Sequence, residues 1–157
     1  MIREAQQFSG HWMALPAASK RREQMAKLRH IAVAVPDPDK AAKFYVDTFG
    51  LKAVGRTESP LATGVYLSDG TINLALLSYK TDGAAGAERG KGFVGVHHFG
   101  FWVDDLDAHG QAIERNGGSY FLDLPIETNS LYYEKKYRDP DGIIFDISHN
   151  GWVGTKP

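Results

Sequence analysis

Two stretches of this chain align without a gap. They are His30-Ile31-Ala32-Val33-Ala34-Val35-Pro36-Asp37-Pro38-Asp39 and His98-Phe99-Gly100-Phe101-Trp102-Val103-Asp104-Asp105-Leu106-Asp107. Each is a histidine, five strand-like residues and an acidic turn leading into a helical pattern. In the first copy Asp37 caps the helix with Pro38 at its first position, the favoured order. Ala41, Phe44, Tyr45 and Phe49 then recur at helical spacing, and Gly50 ends the run. In the second copy Asp105 is the cap, Ala108, Ala112 and Ile113 make the apolar stripe, and Asn116-Gly117-Gly118 closes it. Three β-like stretches follow each helix: Leu51 to Val54, Thr63 to Leu67 and Ile72 to Tyr79, then Ser119 to Leu122, Tyr132 to Arg138 and Ile143 to Ser148. Ser68-Asp69-Gly70 and Asp139-Pro140-Asp141-Gly142 are turn signals between the last two of each set. Each half therefore reads βαβββ.

One such module has a single apolar sheet face and a lone helix, too little to bury a core by itself. The expected class is α+β, with two βαβββ modules pairing into a curved, cup-like mixed sheet. Residues 27–152 form a single domain in this reading: one module over about 27–80, a Gly- and Ala-rich linker over 81–92 expected to be mobile, and a second module over about 93–150. Residues 1–26 read as a flexible N-terminal extension and 153–157 as a C-terminal tail. The apolar run Trp12 to Ala18 is short, contains Pro16 and precedes its basic residues, which is the reverse of a secretory signal.

Composition narrows the chemistry. With 18 Lys+Arg against 19 Asp+Glu the formal net charge is −1, which gives no electrostatic footprint for nucleic acid or an anionic membrane. No apolar stretch approaches the roughly 18 residues of a membrane span, and a cytoplasmic location is expected. Cysteine is absent, so disulfides, thiolate metal sites and a Cys nucleophile are excluded together. Any metal is left to His and to carboxylate or amide oxygen.

Pairing of the two modules brings equivalent positions of their first strands near a pseudo-twofold axis, and His30 and His98 are such positions. Strand alternation lets one of His97 and His98 face the cup, and the repeat selects His98. His97, His109 and His11 then read as surface or structural residues, and His149 faces away from Asp146. Asp146 sits inside the apolar run Gly142-Ile143-Ile144-Phe145-Asp146-Ile147-Ser148. A carboxylate there is costly unless it pairs with Lys or Arg or binds a metal. His30, His98 and Asp146 together make a 2-His-1-carboxylate set, which leaves coordination positions open.

The chain resembles the vicinal oxygen chelate superfamily of glyoxalase I, methylmalonyl-CoA epimerase, extradiol dioxygenases and the fosfomycin- and bleomycin-resistance proteins. The resemblance is carried by His30 to Asp37, Phe44-Tyr45 with Phe49-Gly50-Leu51, Val96 to Phe101, and Tyr137-Arg138-Asp139-Pro140-Asp141-Gly142. It spans roughly residues 28–150. It implies one divalent metal ion (Fe, Zn, Ni, Co or Mn) held by residues on the first and fourth strands of each module: His30, a residue near Asn73 to Ala75, His98 and Asp146. Two departures stand out. The fourth strand of the first module offers no carboxylate, only the amide of Asn73, and the last strand carries Asp146 where the family usually has Glu.

The resemblance further implies a metal-dependent enzyme that chelates oxygen atoms of a small organic substrate, as a lyase or isomerase or as an Fe(II) extradiol-type dioxygenase. Epimerase chemistry needs a carboxylate base beside the metal. Ala62 stands where that residue is expected, with Glu58 four residues earlier as the catalytic candidate. Arg56 and Tyr133 are candidates for substrate contact, and a homodimer is expected. The alternative is a metal-free binder of the bleomycin-resistance type, with aromatic residues along the cup.

Overall fold

The computed structural model describes residues 25–123 and 130–156. Most of the N-terminal extension, His11 within it, lies outside the described residues. The elements follow the repeat: β1 (Lys27–Ala34), α1 (Pro38–Phe49), β2 (Lys52–Glu58), β3 (Ala62–Ser68), β4 (Asn73–Tyr79), α2 (Asp82–Ala85), β5 (Gly95–Trp102), α3 (Leu106–Arg115), β6 (Ser119–Asp123), β7 (Lys135–Arg138) and β8 (Ile144–Ser148). Asp37 caps α1 by accepting from the Lys40 amide, and Asp105 caps α3 by accepting from Asp107 and Ala108. Gly50 takes the left-handed conformation that ends α1.

The strands form one mixed sheet in the order β2-β3-β4-β1-β5-β8-β7-β6. The first strands of the two halves, β1 and β5, pair antiparallel at its centre, and each is flanked by a parallel partner, β4 or β8. The register is symmetric about this junction: His30 lies opposite Gly100, and Ala32 lies opposite His98. On each strand the residue before the matched histidine, Arg29 or His97, is an extra one that shifts the register.

One face of the sheet carries the helices. Val65, Leu67 and Leu76 pack with Ala42 and Tyr45 of α1. Val103, Tyr137, Phe145 and Ile147 pack with Leu106 and Ile113 of α3. The alternate residues face the cup, where Ala32, Ala75 and Leu77 pack with Tyr66 and Tyr79. Burial of these apolar faces, worth roughly 25 cal/mol per Å², fixes which side of each strand is left for chemistry.

Three segments differ from the sequence expectation. The linker contains α2, capped by Thr81 and anchored by the buried Ala85. β7 is shorter than the run Tyr132 to Arg138, because Ser130 turns the chain there, accepting from the amides of Tyr132 and Tyr133. The C-terminal tail folds back across the cup. Trp152 is buried against Gly100, the Val153 carbonyl accepts from Asn73, the Gly154 carbonyl accepts from Ser68, and the Lys156 carbonyl accepts from Arg29. A Cβ on Gly100 would lie 2.6 Å from the indole, so the close approach requires glycine at that position.

Candidate metal centre

β1, β5 and β8 are adjacent, and their cup faces bring His30, His98 and Asp146 into one cluster. A ligand atom from each lies within 4.8 Å of the others, and the residues are 2%, 4% and 0% exposed. The Nε2 atoms of the two imidazoles are 3.3 Å apart, and His98 Nε2 is 3.2 Å from Asp146 Oδ2.

The hydrogen bonds around the cluster decide where its protons sit. Asn73 lies opposite His30 on the neighbouring parallel strand. Its Nδ2 donates to the Val153 carbonyl at 2.9 Å, which turns Oδ1 towards His30 as an acceptor. His30 Nδ1–H donates to that oxygen at 2.8 Å, leaving Nε2 as a bare lone pair. His97 Nε2–H donates to the Ala85 carbonyl at 2.7 Å, so its Nδ1 is an acceptor and receives the proton of His98 Nδ1 at 2.8 Å. His98 Nε2 is then bare as well. Burial pushes His98 well below the ordinary imidazole value, and the nearby Lys136 cation adds to this. His97 is also lowered by burial, against the opposing effect of its bond to Ala85. Both rings are neutral at pH 7.

Two lone pairs and a carboxylate oxygen thus point at one another with no proton between them. Such an arrangement can hold a cation. Ligands at about 2.0–2.2 Å from a tetrahedral ion lie about 3.4 Å from each other, and separations of 3.3 and 3.2 Å are close to that. A metal-ligating imidazole usually donates its second ring N–H to an oriented acceptor; for His30 that acceptor is the Asn73 amide oxygen and for His98 it is the His97 Nδ1. The residues fit a divalent transition metal. Asn73 presents its oxygen to His30 Nδ1 at 2.8 Å, on the side of the ring away from the cluster.

His97 departs from the sequence reading. The extra residue in β5 breaks strict alternation, so His97 is buried (6% exposed) and holds His98 instead of facing outward. The three remaining candidates are not brought to the cluster. Arg56 pairs with Asp39 of α1 on the helix-bearing face. Glu58 pairs with Lys80 on the same side, where an open depression lined by Pro38, Asp39, Arg56 and Glu58 lies away from the histidines. Alternation of β2 sends Thr57, not Arg56 or Glu58, towards the cup. Tyr133 is buried beside Asp123 and His149, on the side of β7 that Tyr137 shares with α3.

The cup face of this strand carries residues the sequence reading passed over. Lys136 lies directly opposite Asp146 and donates to Oδ1 at 2.9 Å and Oδ2 at 2.7 Å. Its side chain is 13% exposed. Burial opposes its charge, but Asp146 and Glu134 outweigh that and hold it above the ordinary lysine value. Glu134 is buried, accepts from Trp152 Nε1, and has Oε2 at 3.4 Å from Lys136. Trp152 also stacks on His30, with ring centroids 5.0 Å apart. The signal for Lys136 was present: Tyr137 belongs to the core, so its neighbour faces the cup.

Residues 27–147 match the model of the Glyoxalase/Bleomycin resistance protein/Dioxygenase superfamily. The chain belongs to this superfamily. No curated protein sequence matches it. Among solved structures of the superfamily's fold, a variant of methylmalonyl-CoA epimerase from Streptomyces coelicolor, in complex with 2-nitronate-propionyl-CoA, is 26% identical with a TM-score of 0.63. That match covers 77% of this chain and 92% of the epimerase. A methylmalonyl-CoA epimerase in complex with methylmalonyl-CoA and NH4+ is 25% identical, covering 78% and 92%, also with a TM-score of 0.63. A hypothetical protein from Bacillus halodurans is 20% identical, covers 84% and 95%, and has a TM-score of 0.65. The superfamily's mixed eight-stranded sheet is the one described above. Among the described residues no helix is long and apolar enough to cross a membrane.

Proposed function

We propose that this chain is a divalent-metal-dependent enzyme acting on a small organic substrate through its oxygen atoms, with His30, His98 and Asp146 as the metal ligands. The observation that carries this is the convergence of the two Nε2 atoms and one carboxylate oxygen. A bound ion supplies positive charge and open coordination positions for substrate oxygens. Asn73 and His97 hold the two imidazoles in the required tautomer and direction.

Glu134 supports an isomerase or lyase reaction. It is a buried carboxylate on the same face as the ligands, positioned by Trp152 Nε1. It is placed to take a proton from a carbon beside a substrate carbonyl and to return it, the role a carboxylate base plays in such reactions. The epimerase neighbours, which bind CoA thioesters, fit this reading. The ligand count alone also suits an Fe(II) ring-cleaving dioxygenase. Assembly as a cytoplasmic homodimer belongs to the same proposal, and the exposed Phe44 and Phe49 of α1, with Val94 just before β5 and Val96 within it, support an interface.

The test is metal analysis of protein purified without chelator after supplementation with Fe, Zn, Ni, Co and Mn. The expected result is one equivalent per chain, lost in His98→Ala. Less than about 0.2 equivalents under all supplements would favour the metal-free binder. Oxygen uptake with catechols under Fe(II) would move the reaction to the dioxygenase class.

A further inference from the structure

We propose that Lys136 is a tethered cation that sets the metal affinity of the centre: its ammonium holds Asp146 when no ion is bound and must share that carboxylate when one is. The inference rests on the metal-dependent reading above. β7 and β8 place Lys136 and Asp146 directly opposite each other, so their contact is fixed by the strand ladder and not by a chance rotamer. Both carboxylate oxygens accept from Nζ, at 2.9 and 2.7 Å. The closer one, Oδ2, is also the atom 3.2 Å from His98 Nε2. The lysine and an ion held by His98 therefore draw on the same oxygen.

Two effects of Lys136 on binding oppose each other. A donor to a ligating carboxylate orients it, and such outer-shell partners are typically worth 10–100-fold in affinity. Against this, a unit positive charge stands beside the seat of a doubly charged ion in a site nearly closed to water, where charge interactions are strong. The orienting part is small here, because Asp146 is fully buried on a strand that is paired on both sides, which already limits where its carboxylate can go. Repulsion wins. Glu134, whose Oε2 is 3.4 Å from Nζ, partly offsets the ammonium and keeps it in place when the carboxylate is shared.

The experiment measures Zn2+ and Co2+ affinity by competition with a chromophoric chelator, on the full chain. Lys136→Met is expected to bind both ions at least about 10-fold more tightly than wild type, because the repelling charge is gone. Its metal-free form should melt at a lower temperature, with the loss reversed by Zn2+. Lys136→Gln keeps a donor to Asp146 without the charge; it should show the same gain and serves if the Met variant does not fold. Lys136→Arg keeps the charge and should stay within about threefold of wild type. Equal or weaker binding by both neutral variants overturns the inference while leaving the metal reading intact. Failure of wild type and variants alike to bind either ion overturns both.

Discussion

The proton assignment around His98 depends on a peripheral carbonyl, and His97→Phe tests it. Phenylalanine fills the space of the ring and keeps its contact with Tyr79 (centroids 4.7 Å apart in the native protein), but removes both nitrogens. His98 Nδ1–H then loses its acceptor at 2.8 Å. To present a bare Nε2 to an ion, the ring must leave that buried N–H unmade, at a cost of about 1–3 kcal/mol. At about 1.4 kcal/mol per decade this weakens Zn2+ or Co2+ binding by about fivefold to 150-fold. His97→Gln is the restoring variant, since its amide can donate to the Ala85 carbonyl and accept from His98. The assays are chelator competition at pH 8 and nitrogen-15 NMR of the histidine rings in metal-free protein. Affinity of His97→Phe within about twofold of wild type would refute the reasoning. So would a proton found on His98 Nε2 in the native protein.

Three further outcomes follow from the same geometry. Metal-free protein should lose stability as the pH falls below about 6.5, because the unfolded chain takes up protons that buried His97 and His98 refuse; each contributes up to about 1.4 kcal/mol per pH unit until its lowered folded value is reached, measured by urea unfolding across pH 5–8. Trp152→Ala should cost about 3–5 kcal/mol in the same assay and speed metal loss to a chelator, since the indole covers His30 and holds Glu134; unchanged release would show that the indole is no barrier. Arg56→Ala and Glu58→Gln should alter stability by less than about 1 kcal/mol and leave metal content unchanged, because each breaks only a surface ion pair on the helix-bearing face; a fall in metal content would return those residues to the site.

The sheet was legible because the repeat is written in residues whose physics is local: capping Asp37 and Asp105, turn-forming Asp-Gly pairs, and strand runs of β-branched and aromatic residues. His30, His98 and Asp146 were legible because a twofold arrangement places matched positions together and because a lone carboxylate among Ile and Phe needs a partner. What escaped were features that depend on register and on chain return. Alternation assigned His97 to the outer side, and one extra residue in β5 reversed that. Glu58 is a candidate through its closeness in sequence to an expected base and Arg56 as a substrate contact, whereas the side each takes follows from which residues of β2 face Gly64 and which face Val65. Trp152 was invisible as a site residue, since nothing local indicates that a tail will lie across the cup.

The two imidazoles are steered by unlike means. One leans on an amide that is itself fastened to Val153 beyond the last strand, the other on a ring fastened to Ala85 between the modules. Both fastenings lie outside the duplicated unit. Relatives built on the same eight strands can therefore retune how an ion is gripped by exchanging a connector or a terminus, with every coordinating side chain left as it was.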